Sequence, residues 1–403
     1  MTSGPGHSSV RRVAVFTDND FSKVNGVTTT LRAVLQRLPD DLSVRVYTAD
    51  AVGDDSPHYL ALRAPGVGIP YYREMSMHFP APWSYLRHLR WNRPDLVHVT
   101  TPGPVGLSGL LTAWWLQVPL VGSFHTDLAK YTSLLSRSDW LGAVMDRYLR
   151  CVYGTCARVL VPSETTSAML DRAGIGVGRH VIWRRGVDAE LFSPSRRSAA
   201  LRQQWGADAE TPVVMYLGRV SREKNLEAFA AVRERLRAEG LRYVLVFVGD
   251  GPMRAEISQR FPEAVLPGSI PHDRVGEYSA SADVFAFPSR TDTAGNVVLE
   301  AQASGLPAVV CDEGGPRENV WPGATALIAD SRDERAFAAA VARLVGDREL
   351  RATMASAART YALSRDWPSA LAPLFATYRE LIAPPTLMSP VDLTSAFPSD
   401  LVS

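Results

Sequence analysis

Apolar residues in this chain fall into short unbroken runs, separated by longer stretches where they return every third or fourth position. RVAVFTD, SVRVYTA, DLVHVT, VPLVGSFHT and ARVLVPS fill the first half, and VVMYLGR, YVLVFVGD, VFAFPS and LPAVVCD the second. Continuous apolar strands separated by helices predict parallel sheets covered on both faces. After LGRVSREK, Leu226, Phe229, Val232 and Leu236 recur at helical spacing, Asn225 stands where a cap belongs and Gly240 follows the end. The strand series pauses over RRGVDAELFSPSRRSAALRQQWGADAETP and restarts near Val213. A boundary within about residues 188–210 predicts two doubly wound α/β units, 11–195 and 205–363. GLSGLLTAWWLQVPLVG contains Ser108, Thr112, Gln117 and Pro119, and predicts a buried helix leading into a strand, not a membrane span.

Composition changes this picture little. The chain has 403 residues, 46% hydrophobic and 21% charged, with a net charge of +1. Nothing in that balance points to nucleic acid. The three cysteines, Cys151, Cys156 and Cys311, are too few for a disulfide framework, suit a reducing compartment and are expected in the core. Residues 1–10 lack the apolar segment of a signal peptide and read as a flexible leader, and 384–403 read as a disordered tail. The expected location is cytoplasmic.

In open parallel sheets, ligands bind at the carboxyl ends of the strands. Four such ends carry candidate chemistry. In SRTDTAGNVVLEAQASGLPAVV a helix starting near Asn296 would aim the amides of Gly295, Asn296 and Val297 at an anion. Glu300, four residues on, could accept from a ribose diol, and Asp292 could hold hydroxyls of another ring. A turn cap for Asp292 and a solvated helix face for Glu300 stand as the plain alternative. In YLGRVSREKN, Gly218 turns the chain, and Arg219 and Lys224 could clamp a diphosphate or be solvated loop charges. In TDNDFSKVNGV, Asn25 and Gly26 open a helix where close backbone approach to an anion is allowed. Asp18 and Asp20 have D-x-D spacing, but no further ligand cluster supports a metal, and none is expected. In VGSFHTDLAKY, His125 and Asp127 are either base and orienter or structural residues.

These motifs together resemble the retaining glycosyltransferases of glycosyltransferase family 4, across about residues 10–383. The likeness rests on VNGV, PDLVHVTTPGPVG, FHTD, RRGVDAELF, LGRVSREKN, VFVGDGP and TDTAGNVVLEAQASGLPAVV. It implies the GT-B fold: two facing Rossmann-like domains, the active site in the cleft between them and a helix, 364–383, crossing back onto the first. By resemblance Arg219 and Lys224 bind the donor diphosphate and Glu300 the ribose. Asp292 and the amides after Gly295 hold the sugar and phosphate, Gly26 approaches from the other domain, and His125 lies against the sugar. The family usually has Glu-x7-Glu where this chain has Asp292-x7-Glu300. The chain looks most similar to the mannosyl- and sulfoquinovosyltransferase subgroups.

The implied reaction moves a hexose from a nucleotide-diphosphate sugar, GDP-mannose or a UDP-hexose, to an acceptor hydroxyl with α linkage and without metal or other cofactor. In a front-face reaction the departing phosphate takes the acceptor proton. A double displacement would need a carboxylate such as Asp127. A glycan, lipid or small-molecule acceptor belongs on the first domain, with Asp127 and Tyr72 as candidates. YYREMSMHFPAPWSYLRHLRWNRPD mixes Tyr71, Tyr72, Trp83 and Trp91 with Arg73, Arg87, Arg90 and Arg93. It suits either peripheral membrane contact or a core helix with a basic face. The rivals are a nucleotide-sugar epimerase or phosphorylase on the same scaffold, and a non-catalytic nucleotide-sugar binder.

Overall fold

The computed structural model describes residues 10–382, apart from 22–24, 50–57, 62–63, 70–71, 81, 91 and 137. The first half contributes β1 (Arg11–Phe16), β2 (Leu42–Thr48), β3 (Tyr59–Ala61), β4 (Gly66–Ile69), β5 (Tyr72–His78), β6 (Leu96–Val99), β7 (Leu120–Ser123), β8 (Arg158–Val161) and β9 (His180–Ile182). The second contributes β10 (Val213–Leu217), β11 (Val244–Val248), β12 (Val265–Gly268), β13 (Val284–Phe287), β14 (Ala308–Cys311) and β15 (Ala326–Ala329).

Two parallel sheets result, ordered β3-β2-β1-β6-β7-β8-β9 and β12-β11-β10-β13-β14-β15; β4 and β5 form a separate antiparallel hairpin. Strands β6, β7, β10, β13 and β14 are buried along their whole length, as sheets covered on both faces require. Strand order reverses between β1 and β6, and again between β10 and β13. These are the two places where the strand ends open a crevice. The loops after β1 and after β10 and β13 carry most of the candidate residues.

The helix Trp367–Ile382 returns to the first sheet. Trp367, Leu371, Leu374, Phe375 and Tyr378 pack with Val13, Val15 and Leu96, and Arg379 holds both oxygens of Asp41, at 2.7 and 2.8 Å. Asp366 caps its start, accepting from Ser369 N at 2.7 Å.

Three sequence expectations need correction. Asn225 does not cap the next helix: its left-handed φ of 55° is incompatible with the extended N-cap geometry. A 3-10 turn, Leu226–Ala228, intervenes, and the helix runs Phe229–Ala238 with Gly240 beyond it at φ 64°. The helix Pro104–Leu116 buries only one face; Leu107, Leu111, Trp114 and Trp115 are exposed. Cys151 is exposed, while Cys156 and Cys311 are buried, and all three are free.

Candidate active site

The loop after β10 is fixed by glycines on its neighbour. A Cβ on Gly249 would sit 1.9 Å from Gly218 O, and one on Gly251 would sit 2.3 Å from Val220 O. Only glycine lets the VFVGDGP loop pack this closely against the segment carrying Arg219. Tyr216 Oη donates to Arg219 O at 2.7 Å, holding that residue's backbone from inside the core.

The loop after β13 is held from the other side. Gly295 takes φ 66° and ends against Pro316, whose Cα would lie 2.7 Å from an added Cβ. Gly315 N donates to Asp292 O at 2.8 Å, and Asn319 Nδ2 donates to the carbonyls of Ala294 and Gly295. The helix Asn296–Ala303 then begins at the strand ends. Its N-terminus, with no side-chain cap and the partial positive charge of a helix start, follows β13 at the β10/β13 switch point.

Lys224 and Asp292 meet here. Lys224 Nζ donates to both carboxylate oxygens of Asp292, each at 2.8 Å, and both side chains are largely buried. This cation and carboxylate thus neutralise each other across the loops. Glu300 is different. Among the described residues no hydrogen bond reaches its carboxylate, and burial pushes it up to about 7. A partly buried carboxylate without a donor is an unfilled acceptor.

The first domain closes over this rim. Asn25 caps the helix Gly26–Gln36 through Val27 N and Thr28 N, at 2.9 and 3.0 Å, with Thr28 Oγ1 accepting from Asn25 N in return. Asn25 Oδ1 is therefore engaged in its own helix. A Cβ on Gly26 would lie 3.4 Å from Asn296 Nδ2 of the second domain. Residues about 270 positions apart, named as one site from sequence, face each other across the cleft.

His125 follows β7. Its carbonyl accepts from Thr293 Oγ1 of the second domain at 2.6 Å, and its Nδ1 lies 2.9 Å from Arg185 Nη2. Burial first, then Arg185 and His98, hold the ring well below the usual imidazole range, so it is neutral. Its Nε2 is buried with no partner. Behind it, His98 bridges Tyr378 Oη and Ser123 Oγ at 2.7 and 2.6 Å, tying the last helix to the site wall.

Not every candidate converges. Asp127 accepts from Lys130 N at 3.0 Å, capping the helix Leu128–Ser136. Tyr72 opens β5 in the separate hairpin; Tyr71 and Trp91 lie outside the described residues. Asp18 receives Thr101 Oγ1 and the amides of Gly103, Val105 and Gly106 at 2.8–3.1 Å, closing the start of the helix Pro104–Leu116. Among the described residues no cluster of three His, Cys, Asp or Glu could hold a metal ion.

Sequence reasoning missed the residues that join the halves. Glu318 accepts from Glu164 N and Thr165 N, at 2.9 and 2.6 Å, at the start of the helix Glu164–Arg172. Thr293 O accepts from Ser163 Oγ and Thr166 Oγ1. A glycine pair followed three residues on by a carboxylate, GGPRE, was the visible signal for Glu318, and no local pattern marked its partner.

Comparison with known proteins agrees with this fold. The family described as Glycosyltransferase Family 4 matches residues 24–191, and Glycosyl transferases group 1 matches 198–361. A GDP-mannose-dependent alpha-mannosyltransferase of Mycobacterium tuberculosis is 33% identical over 89% of this chain and 93% of its own length. Sulfoquinovosyl transferase SQD2 of Arabidopsis thaliana is 29% identical over 90% of this chain and 72% of its own. The solved sucrose-phosphate synthase of Thermosynechococcus elongatus superposes with a TM-score of 0.75 at 21% identity, over 93% of this chain and 99% of that one. The fold is GT-B, and the chain belongs to the family 4 glycosyltransferases and is itself a glycosyltransferase.

Proposed function

We propose that this enzyme transfers a hexosyl group from a nucleotide-diphosphate sugar, GDP-mannose or a UDP-hexose, to an acceptor hydroxyl with retention and an α linkage. The observation that carries this reading is the meeting of Gly26 and Asn296 across the cleft. It gathers a helix start, the Lys224–Asp292 pair and the unfilled carboxylate of Glu300 on one rim.

Residues 205–363 serve as the donor half and 11–195 as the acceptor half. Glu300 takes the ribose hydroxyls, and Arg219 with Lys224 takes the diphosphate. When the diphosphate engages Lys224, Asp292 is released toward the sugar hydroxyls. The amides of Gly295, Asn296 and Val297 add fixed positive charge where the leaving phosphate gains negative charge. The C–O bond from the anomeric carbon to the diphosphate breaks. The acceptor oxygen bonds to that carbon on the same face, and its proton passes to the departing phosphate oxygen. Asp127, engaged as a helix cap, is not offered as a nucleophile. No metal is required in this scheme, because Arg219, Lys224 and the helix end carry the charge.

The preferred acceptors are amphiphilic. Trp83, Trp114 and Trp115 are exposed on the helices Pro82–Leu89 and Pro104–Leu116, neither of which carries an acidic residue. Exposed tryptophans beside Arg87 and Arg90 suit peripheral contact with an anionic lipid surface, from the cytoplasmic side. Among the described residues no helix is long and apolar enough to cross a membrane.

The test is an NMR assay of transfer from GDP-mannose and UDP-glucose to an alkyl glycoside, with the anomeric coupling of the product recorded. An α product formed in the presence of chelator supports the reading; a β product or a strict metal requirement defeats it.

A further inference from the structure

Arg185 is 4% exposed, and no carboxylate among the described residues pairs with it. Its Nη1 donates to Trp183 O at 2.7 Å, its guanidinium lies 4.4 Å from the centre of the Trp183 ring, and its Nη2 reaches His125 Nδ1 at 2.9 Å. Burial lowers it only to about 9, so it stays charged at neutral pH. A guanidinium has donors and no acceptor. The imidazole nitrogen facing it must therefore offer a lone pair, which leaves the single ring proton of a neutral histidine on Nε2.

We infer that Arg185 is a positioning residue that locks His125 in the Nε2–H tautomer, so that His125 meets the substrate as a hydrogen-bond donor and not as a base. The groups around the ring agree. His98 on β6, bridging Tyr378 and Ser123, is kept neutral by burial, Trp183 packs edge-on at 6.1 Å, and Thr293 of the second domain binds the His125 carbonyl. None of these gives Nδ1 a proton acceptor. The unpartnered Nε2–H is left for an oxygen of the bound sugar. With no lone pair on Nε2, His125 cannot take the acceptor's proton, and that proton falls to the leaving phosphate.

The catalytic consequence rests on the proposed glycosyl transfer, but the tautomer itself can be read without any substrate. The experiment is a long-range 1H–15N correlation spectrum of the full-length protein with 15N-labelled histidine, with His125 assigned through His125→Gln. An unprotonated Nδ1 and a protonated Nε2, unchanged between about pH 5 and 8, are expected. A proton on Nδ1, or an imidazolium at pH 7, overturns the inference. In Arg185→Lys, which still donates, the Nε2–H form persists; in Arg185→Leu the two tautomers mix.

Kinetics gives a second readout. His125→Gln, whose side-chain amide still donates, should keep kcat/KM within about tenfold of wild type, whereas His125→Glu should lose about a hundredfold or more. Glu outperforming Gln would restore the base and refute the inference. Absence of any transferase activity would instead sink the proposed function and leave the tautomer result standing.

Discussion

Replacing Glu300 by Gln should make the protein more stable at neutral pH and poorer at holding a nucleotide. Burial raises the Glu300 carboxyl from an ordinary 4.5 to about 7 in the folded protein. The native state therefore binds this proton more tightly than the unfolded chain does. Below pH 4.5 both states are protonated and the group is neutral for stability. As pH rises from 4.5 to 7 the folded state is increasingly penalised, and above 7 the penalty is complete. At about 1.4 kcal/mol per unit this is up to roughly 3 kcal/mol. Gln carries no charge to desolvate, so Glu300→Gln should raise Tm by several degrees at pH 8 and leave it nearly unchanged at pH 4.5. The same change removes a charged acceptor from the proposed ribose site. Two charge-assisted hydrogen bonds become weaker neutral ones, a loss of about 1.5–3 kcal/mol, or roughly ten- to a hundredfold in affinity. Thermal unfolding at both pH values, with and without GDP or UDP, checks both halves. A variant no more stable at pH 8, or one binding nucleotide as tightly as wild type, would refute the reasoning.

Lys224→Ala should narrow the preference for a nucleoside diphosphate over its nucleoside by about tenfold or more, measured by calorimetric titration with both, while Arg219 keeps part of it; an undiminished preference would remove Lys224 from the clamp. Glu318→Ala should expose the amides of Glu164 and Thr165 to faster hydrogen exchange and raise the donor KM, because the contact between domains is lost. Unchanged exchange there would mean that Glu318 does not join the halves. Gly295→Ala places a Cβ against the Pro316 backbone at a φ of 66° and should destabilise the second domain by about 1–3 kcal/mol in urea unfolding.

Much of this arrangement was legible in the chain, because it depends on local signals. Buried parallel strands are written as unbroken apolar runs, and LGRV- and GN-type turns mark strand ends, so the two sheets and the position of Gly218, Arg219 and Gly295 in the loops after β10 and β13 could be read directly. Contacts made only by folding could not. The Lys224–Asp292 pair joins two loops 68 residues apart, and sequence alone had assigned its members to different parts of the donor. Arg185 reads as one charge among several in RRGVD, until the fold buries it against His125. Local rules also misfired where two applied at once. Asn225 has the chemistry of a helix cap but sits at the left-handed end of a preceding 3-10 turn. The apolar helix Pro104–Leu116 looked buried because hydropathy does not say which side of a domain a helix covers.

The most direct test of the central claim is a thermal-shift titration of the full chain with UDP, GDP and ADP, with and without chelator, repeated on Arg219→Ala. At a hundred times its dissociation constant a ligand of the folded state adds about 2.7 kcal/mol. The expected result is a shift with one nucleotide that chelator leaves intact and Arg219→Ala diminishes. No shift with any of the three would contradict a nucleotide-diphosphate site in this cleft.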